Sequence, residues 1–521
     1  MNSETEDSMS AAQTMASRCQ IWMFRLLSIV LGLSTFALIE LVCIAAGWGE
    51  LQPGDDPLVG FEAIRPLFDK TTDGLAFHTS PARRGYFKAV SFAAIKPSGE
   101  FRIFVFGGST VQGNPFSIET SFPAYLEIAL QKADRSRNWK VVNCGGVSYA
   151  SYRLLPVMQE CMAYQPDLYI FCGGHNQFLE HISFNDVRDS AAVTAPTLSI
   201  LNRLRSFRIV QRAFIGTGKD VSGSAATAGV GQATLPVEVN TLLDQHDGLA
   251  KYHRDDKLAK QITQSFSGDL RSMSALSRRH GVPLLFVLPP SNLSDCPPFK
   301  SEFTSTTSVA ERSKVGSELK EARRLSASHL ADAIALLAAT SQRDPRYALT
   351  WYELAQLQLT ALDYSAADVS YRRARDEDVC PLRMTTPLEY AMQNVASQES
   401  VPLINAHELL TRRCRYGIAG DAILVDHVHP SFRGHEDIAV AIADWMISTG
   451  IVDEENATWK VDTLQECRRR LAALEDLYFL RGQRALRNLR LWAAGRAHDV
   501  PLAPPEHEDQ NRSESMKSVS E

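Results

Sequence analysis

The sequence predicts a three-layer α/β/α fold built on a parallel five-stranded sheet, with an inserted helical-hairpin region and one N-terminal transmembrane helix. Three observations lead to it. Five short apolar runs alternate with helical patterns along the chain, and four of these runs end in glycine-rich or polar turns. A single long apolar stretch stands near the N-terminus, ahead of a composition that is otherwise ordinary for a globular protein. Of 521 residues, 45% are hydrophobic and 22% charged, proportions that exclude a wholly disordered, collagen-like or fibrous chain. Lys+Arg 54 against Asp+Glu 60 leaves a formal charge of −6, so no positive field is present to hold a nucleic-acid backbone. The mean hydropathy of −0.15 excludes a polytopic membrane protein.

Residues 1–25 precede the apolar stretch, which runs from Leu26 to Trp48 and is interrupted only by Glu40. At a rise of about 1.5 Å per residue this length spans a bilayer core of about 30 Å, and it exceeds the apolar region of a cleaved signal peptide. Arg18 and Arg25 lie before it, and Glu50, Asp55 and Asp56 after it. The positive-inside rule then keeps the N-terminus in the cytoplasm and places the rest outside, periplasmic in a bacterium. A single-pass signal anchor over 26–48 is the expectation. Nine cysteines follow no metal-binding spacing, and the odd number on the exported side argues against a full disulfide framework. Export to an oxidising compartment would allow Cys380 and Cys414 to pair.

Residues 49–98 read as a connecting region. From 99 to 450 the period changes repeatedly between strand and helix. Phe101–Phe106, Trp139–Val142, Leu168–Cys172, Val282–Leu288 and Val401–Ile404 read as buried strands. Phe122–Leu130, Tyr152–Tyr164 and the run Leu258, Ile262, Phe266, Leu270, Met273 read as helices, the last with the spacing of an amphipathic face. Such alternation implies a parallel sheet covered on both sides. Two insertions interrupt it. Residues 184–253 contain the Gly/Ala/Ser/Thr-rich stretch Gly216–Thr234, whose composition predicts a flexible loop. Residues 311–379 are helical, and Trp351, Leu354, Ala355, Ala367, Tyr371 and Ala374 fall at tetratricopeptide-repeat spacing, which makes a protein partner at this insertion one expectation and a simple structural cap the other. A basic helical region occupies 451–495, with Arg468, Arg469, Arg470, Arg481, Arg484, Arg487 and Arg490. The polar tail, 496–521, reads as disordered.

The chemistry gathers at the strand ends. The first strand runs into Gly107-Gly108-Ser109-Thr110 and the second into Asn143-Cys144-Gly145-Gly146-Val147-Ser148. The third runs into Gly173-Gly174-His175-Asn176 and the fourth into Pro289-Pro290-Ser291-Asn292. Parallel sheets place their ligands at this edge. Far along the chain stands Asp426-His427-Val428-His429-Pro430. Its carboxylate and imidazole, three residues apart in a turn, suit a histidine base oriented by an aspartate. A metal cluster of Asp426, His427, His429 and His435 is the competing reading, but no helical His-x-x-x-His pair or second ligand group accompanies it. No metal and no cofactor is expected.

These four blocks, in this order and after successive strands, resemble the SGNH (GDSL-type) hydrolases, whose fold is flavodoxin-like. The resemblance covers about residues 99–185, 256–296 and 380–446. It implies Ser109 as nucleophile, His429 as base and Asp426 as its orienting carboxylate. It also implies an oxyanion hole of the Ser109 N–H, a second-block N–H given to Gly146 (with Gly145 and Ser148 as alternatives) and the Asn176 amide. Ser148 and Asn292 are candidates for touching the substrate. The first block reads Gly-Gly-Ser-Thr in place of Gly-Asp-Ser, and Gln177 stands where Asp is common. The resulting expectation is a membrane-anchored, extracytoplasmic serine esterase or acyl hydrolase without cofactor, acting on O-acyl esters of carbohydrates or on small lipid esters. Acyl transfer to surface glycans, or a weakly catalytic scaffold binding partners through the insertion, are the alternatives.

Overall fold

The structure, a computed structural model, describes residues 66–184, 241–245 and 247–493, together with parts of 22–48 and 204–209. The chain divides into two compact units, one of residues 65–185 and 238–521, the other of residues 1–64 and 186–237.

In the larger unit, β1 (Phe68–Lys70), β2 (Ala76–Thr79) and β3 (Ser91–Ala93) form an antiparallel sheet. The strands β4 (Glu100–Gly107), β5 (Asn138–Gly145), β6 (Leu168–Cys172), β7 (Leu284–Leu288) and β8 (Leu403–Asn405) form the expected parallel sheet, in the order β5-β4-β6-β7-β8. The apolar runs read from the sequence are these strands, because both faces are covered. On one face Ile103, Val105 and Ile170 meet α2 (Phe122–Ala133), α12 (Phe432–Ser448) and α13 (Trp459–Ala472) through Leu126, Ala129, Ile438, Ile442 and Trp459. On the other, Phe104, Phe106, Tyr169, Phe171 and Phe286 are fully buried. There α3 (Ser151–Cys161), α5 (Asp256–His280) and α10 (Thr386–Gln398) pack together. Edge-to-face aromatic pairs such as Phe106 with Tyr169 (5.4 Å) and Phe171 with Phe286 (6.1 Å) fill that layer.

Pairing aligns the carboxyl ends. Gly107 is opposite both Gly145 and Cys172, and Cys172 is opposite Val287. The four turns singled out in the sequence therefore leave one edge of the sheet side by side.

The small sheet β1–β3 corrects the reading of 49–98 as a connecting region, at least over its described part. Its strands are only three or four residues long and each offers an isolated aromatic, so no periodic signal exists in the sequence. The sheet is held from outside. Phe68, Phe77 and Phe92 cluster around Tyr164, with ring centroids 5.7, 4.5 and 5.4 Å away. The buried Glu160 carboxylate accepts the N–H groups of Leu67 (2.7 Å) and Phe68 (3.0 Å).

The second insertion is four helices in two hairpins: α6 (Val309–Leu325) with α7 (Leu330–Ser341), and α8 (Ala348–Thr360) with α9 (Tyr364–Asp376). Leu354 packs with Val315, Leu319 and Leu337, while Ala355, Ala367 and Tyr371 pack with Leu293 and Ile418 of the α/β core. The small residues allow close helix approach and the apolar positions of the pattern face inward. The remaining helices are α1 (Ser109–Gln112), α4 (Gln177–Ser183), α11 (Ala406–Thr411) and α14 (Asp476–Ala493).

In the smaller unit, residues 34–45 are helical and Glu40 accepts the Ser206 N–H (3.0 Å) and hydroxyl (2.8 Å), as well as the Arg205 N–H. Its carboxylate thus caps a second helical turn. Among the described residues no helix is long and apolar enough to cross a membrane. The anchor expected over 26–48 lies partly outside the described residues. The glycine-rich stretch 216–234 and the tail 496–521 lie wholly outside them. Among the described cysteines all are free thiols, Cys380 and Cys414 included, and Cys380 is buried beside Leu179 and Tyr252.

Removing the Glu160 carboxylate leaves two buried amides and the Tyr164 hydroxyl (2.8 Å away) without an acceptor. Glu160→Ala is expected to destabilise the larger unit by about 2–4 kcal/mol, read as a shift of the denaturant midpoint at unchanged slope.

Candidate active site

The first turn is shaped by two glycines with no room for a side chain. A Cβ on Gly107 would stand 2.1 Å from the Cys172 carbonyl oxygen and 2.3 Å from Val111. A Cβ on Gly108 would meet the Asn176 amide nitrogen at 2.7 Å. Gly108 takes the position before α1, and Ser109 opens it, half-buried, at the sheet's edge.

His429 comes to this serine from 320 positions away in the chain. Its Nε2 is 2.8 Å from Ser109 Oγ and its Nδ1 is 2.6 Å from Asp426 Oδ2. The other carboxylate oxygen of Asp426 accepts the N–H groups of Val428 (2.9 Å) and His429 (2.8 Å). The Val425 N–H closes the turn onto the His429 carbonyl at 2.8 Å. Every acceptor position of Asp426 facing the turn is thereby directed, which orients the imidazole. With Nδ1 facing the carboxylate, Nε2 is the nitrogen presented to the serine hydroxyl.

Burial pushes the Asp426 carboxyl upward, but the imidazoles of His429 and His427 and the turn's hydrogen bonds outweigh it and hold the group well below the usual carboxylate range. It is an anion at any working pH. Two further histidines surround it. Burial drives His427 down to about 3 and His175 down to about 4, so both rings are neutral. His175 is 3.0 Å from the Pro290 carbonyl oxygen through Nε2, and His427 lies edge-on to Phe299 at 5.3 Å. These neutral rings and the aromatic wall keep the Asp426–His429 pair away from water. His435, considered as a metal ligand in the sequence, instead accepts the Phe122 N–H through Nδ1 (3.2 Å). Among the described residues no group of three or more His, Cys, Asp or Glu side chains is arranged to hold a metal ion.

Of the N–H groups expected as oxyanion donors, the structure leaves a different one open at the second block. The Ser109 N–H and one Asn176 amide hydrogen have no acceptor among the described residues, and the other Asn176 hydrogen is held by the Tyr149 carbonyl at 3.2 Å. Gly146, expected to supply the second-block N–H, donates it to the Gly107 carbonyl at 2.9 Å, continuing the sheet pairing. Gly145 gives its own to Asn143 Oδ1, also at 2.9 Å. Of the three alternatives Ser148 is the one whose N–H stays open among the described residues. Ser148 sits at φ 63°, a left-handed conformation uncommon for a residue with a side chain. Gly146 serves by compactness, since a Cβ there would press on Phe87 and Tyr149 at 2.8–2.9 Å.

Asn292, expected to touch substrate, is buried and binds protein groups. Its amide donates to Asp421 Oδ1 (2.9 Å) and to the Asp426 carbonyl (3.0 Å). Gln177, standing where Asp is common, is also buried and donates to Ser151 Oγ at 2.9 Å. Sequence reasoning passed over Asn143, whose amide reaches the Val111 carbonyl at 2.8 Å and Ser121 Oγ at 3.2 Å and so locks α1 and α2 to the second turn. A polar residue at the end of an apolar strand was the available signal.

No family model matches the chain, and no curated protein matches it. Among solved structures, the chain is similar to an α/β hydrolase enzyme from the metagenome of Lake Arreo, Spain. The two are 12% identical with a TM-score of 0.31, over 69% of this chain and 98% of that one. It is also similar to a catalytic mutant of an acetylxylan esterase from Geobacillus stearothermophilus (11%, TM-score 0.29, 67% of this chain and 95% of that one). A third is the lipase/acylhydrolase from Enterococcus faecalis (11%, TM-score 0.28, 68% of this chain and 100% of that one).

Two measurements check this geometry. Gly108→Ala drives a methyl group into the Asn176 amide, and its kcat is expected to fall about 10²–10³-fold, the usual effect of losing one oxyanion donor. The second concerns acid. His175, His427, His435 and His407 are all held at about 3–4 by burial, whereas in the unfolded chain each titrates near 6.5. Below about pH 6.5 the unfolded state therefore binds more protons, and stability falls as pH drops towards 4. Each ring contributes a slope of up to about 1.4 kcal/mol per pH unit. His407→Gln is expected to reduce the slope by one such increment in a melting series across this range.

Proposed function

We propose that this protein is a serine esterase that works through an acyl-Ser109 intermediate. The observation that carries the reading is the hydrogen-bonded line from Asp426 through His429 to Ser109, with separations of 2.6 and 2.8 Å. Ser109 Oγ attacks the ester carbonyl carbon while its proton passes to His429 Nε2. The imidazolium so formed is stabilised by the Asp426 anion, which does not itself take the proton. The tetrahedral oxyanion meets the Ser109 and Ser148 N–H groups and the Asn176 amide. As it collapses, the alcohol leaves with the proton from His429. Water then attacks the acyl carbon and gives a proton to the same nitrogen; as the second tetrahedral intermediate collapses, that proton passes to the departing Ser109 Oγ, which frees the acid and restores the hydroxyl and the neutral His429. No cofactor enters these steps.

The substrate class is an O-acyl ester of a carbohydrate or a small lipid ester, a half-buried serine at an open sheet edge being suited to an ester carried on a larger molecule. The apolar stretch 26–48, with arginines before it and carboxylates after it, supports an anchored enzyme facing outward from a membrane.

The test uses the full chain with a fluorophosphonate probe and a chromogenic acetate ester. Wild type is expected to incorporate one probe per chain at Ser109. Ser109→Ala is expected to lose labelling and at least about 10³-fold in kcat, with an unchanged melting temperature. Undiminished turnover by Ser109→Ala would refute the mechanism.

A further inference from the structure

Asn292 uses all its polar groups, and four of its five bonds run to other segments of the chain. Its N–H donates to the His427 carbonyl (2.9 Å), and its two amide hydrogens go to the Asp426 carbonyl (3.0 Å) and Asp421 Oδ1 (2.9 Å). Its carbonyl accepts from Arg383 Nη1 (2.9 Å), and Asn292 Oδ1 accepts the nearby Asp295 N–H (3.0 Å). It is 1% exposed and Arg383 2%. Both are shut off from bulk solvent.

The two carbonyls it holds are those of Asp426 and His427, successive residues of the turn that aims the catalytic carboxylate. Hydrogen bonds from Asp426 itself act within that turn and fix its internal shape. They do not fix where the turn as a whole sits relative to Ser109, which belongs to a different strand end. Asn292 lies in the loop leaving β7, so its bonds tie the turn to the sheet that also carries the nucleophile. We propose that Asn292 is a positioning residue for Asp426 and that the helical insertion braces it. The proposal rests on the serine-esterase reading for the role of Asp426.

The brace is visible in the bonds on either side. Arg383, in the segment following the insertion, also donates to the Cys296 carbonyl at 2.7 Å, closing a clamp over residues 292–296. The Met384 N–H meets Ser291 Oγ at 3.2 Å. From α8, Tyr352 Oη and Gln356 Nε2 both donate to the Ser294 carbonyl, at 2.8 and 2.6 Å. Thus the loop is held from the sheet side by β7 and from the outer side by the insertion. The Leu293 and Ser294 N–H groups also hold the loop on the Ala419 carbonyl, at 2.9 and 3.1 Å, so what the Asn292 side chain adds is the attachment of the turn's Asp426 carbonyl to a loop that is already fixed. Displacement of about 1 Å at a catalytic group is enough to cost about 10²-fold in rate.

The experiment compares full-chain Asn292→Ala, Arg383→Met and Leu293→Ala. The last removes core packing from the same loop and leaves every hydrogen bond to the turn in place. Two readouts are taken: kcat and KM on the chromogenic ester, and the far-downfield proton resonance of the His429 Nδ1–H bonded to Asp426. Asn292→Ala is expected to lower kcat at least tenfold with KM within twofold, and to broaden or abolish the resonance. Arg383→Met is expected to do the same to a smaller degree. Leu293→Ala is expected to lower the melting temperature by as much or more yet keep kcat within threefold.

Should Asn292→Ala not fold, the pair Asn292→Asp with Asp421→Asn takes its place. It exchanges donor and acceptor across the 292–421 bond, conserves charge and volume, and still withholds a donor from the Asp426 carbonyl. A retained resonance and kcat within twofold in either variant overturns the proposal, as does an equal kcat loss in Leu293→Ala. If Ser109→Ala hydrolyses the ester as fast as wild type, the esterase reading falls instead. The resonance alone then decides whether Asn292 holds Asp426: its loss in Asn292→Ala sustains the placement and its persistence overturns it.

Discussion

The constraint on which the rest depends is the meeting of Ser109 and His429 across 320 residues of chain, with Oγ and Nε2 at 2.8 Å. Neither local propensity nor turn chemistry can set a distance between such remote positions. It is set by two rigid frames brought into register. One is the parallel sheet, whose pairing puts Gly107 level with Gly145 and Cys172 and so aligns three of the site's turns. The other is the turn 425–430, closed on itself by the Val425 N–H and by Asp426. Close packing makes each frame stiff, and the loop after β7 is where they are joined.

This division explains what the sequence disclosed. The parallel strands were legible as apolar runs, most of all the central β6 and β7, which are buried at every position and, being covered on both faces, are apolar throughout. Ser109 and the Asp426–His429 pair were legible because their chemistry requires particular side chains at strand ends and in a tight turn. The sheet β1–β3 was not, since its stability comes from Tyr164 and the Glu160 carboxylate, residues far from it in the chain. Asn292 was recognised as belonging to a loop at the site's edge, but a buried asparagine that holds the 421–427 stretch and Arg383 and an exposed one that binds a substrate have the same letter. Burial, which the sequence does not state, separates them.

The insertion shows the same principle at larger scale. Its spacing reads as helices packed through small residues, but spacing does not reveal what the outer surface of those helices meets. Ala355 and Ala367 permit close approach within the hairpin, and Tyr352 and Gln356 then project onto a carbonyl of the loop after β7. A helical element placed between β7 and β8 in the chain thereby holds the loop whose Asn292 bonds the turn carrying Asp426 and His429.

Ser148 carries the argument one step further. Gly145 and Gly146 look like the natural donors of the second block because glycine amides are sterically open. The sheet, however, claims both. Gly146 extends the ladder to Gly107, and Gly145 satisfies Asn143, the residue that locks α1 in place. The chain must therefore turn away from the sheet before an amide can point free of it. That reversal is made at φ 63° by a residue that carries a Cβ, a conformation that costs about 1 kcal/mol for non-glycine residues. The surroundings hold it there: the Val147 N–H on the Tyr86 carbonyl before it and the Tyr149 N–H on the Gly146 carbonyl after it. Strain kept in place by neighbours on both sides falls at the one second-block amide left without an acceptor among the described residues, which is why the proposed mechanism gives the oxyanion to Ser148 rather than to a glycine.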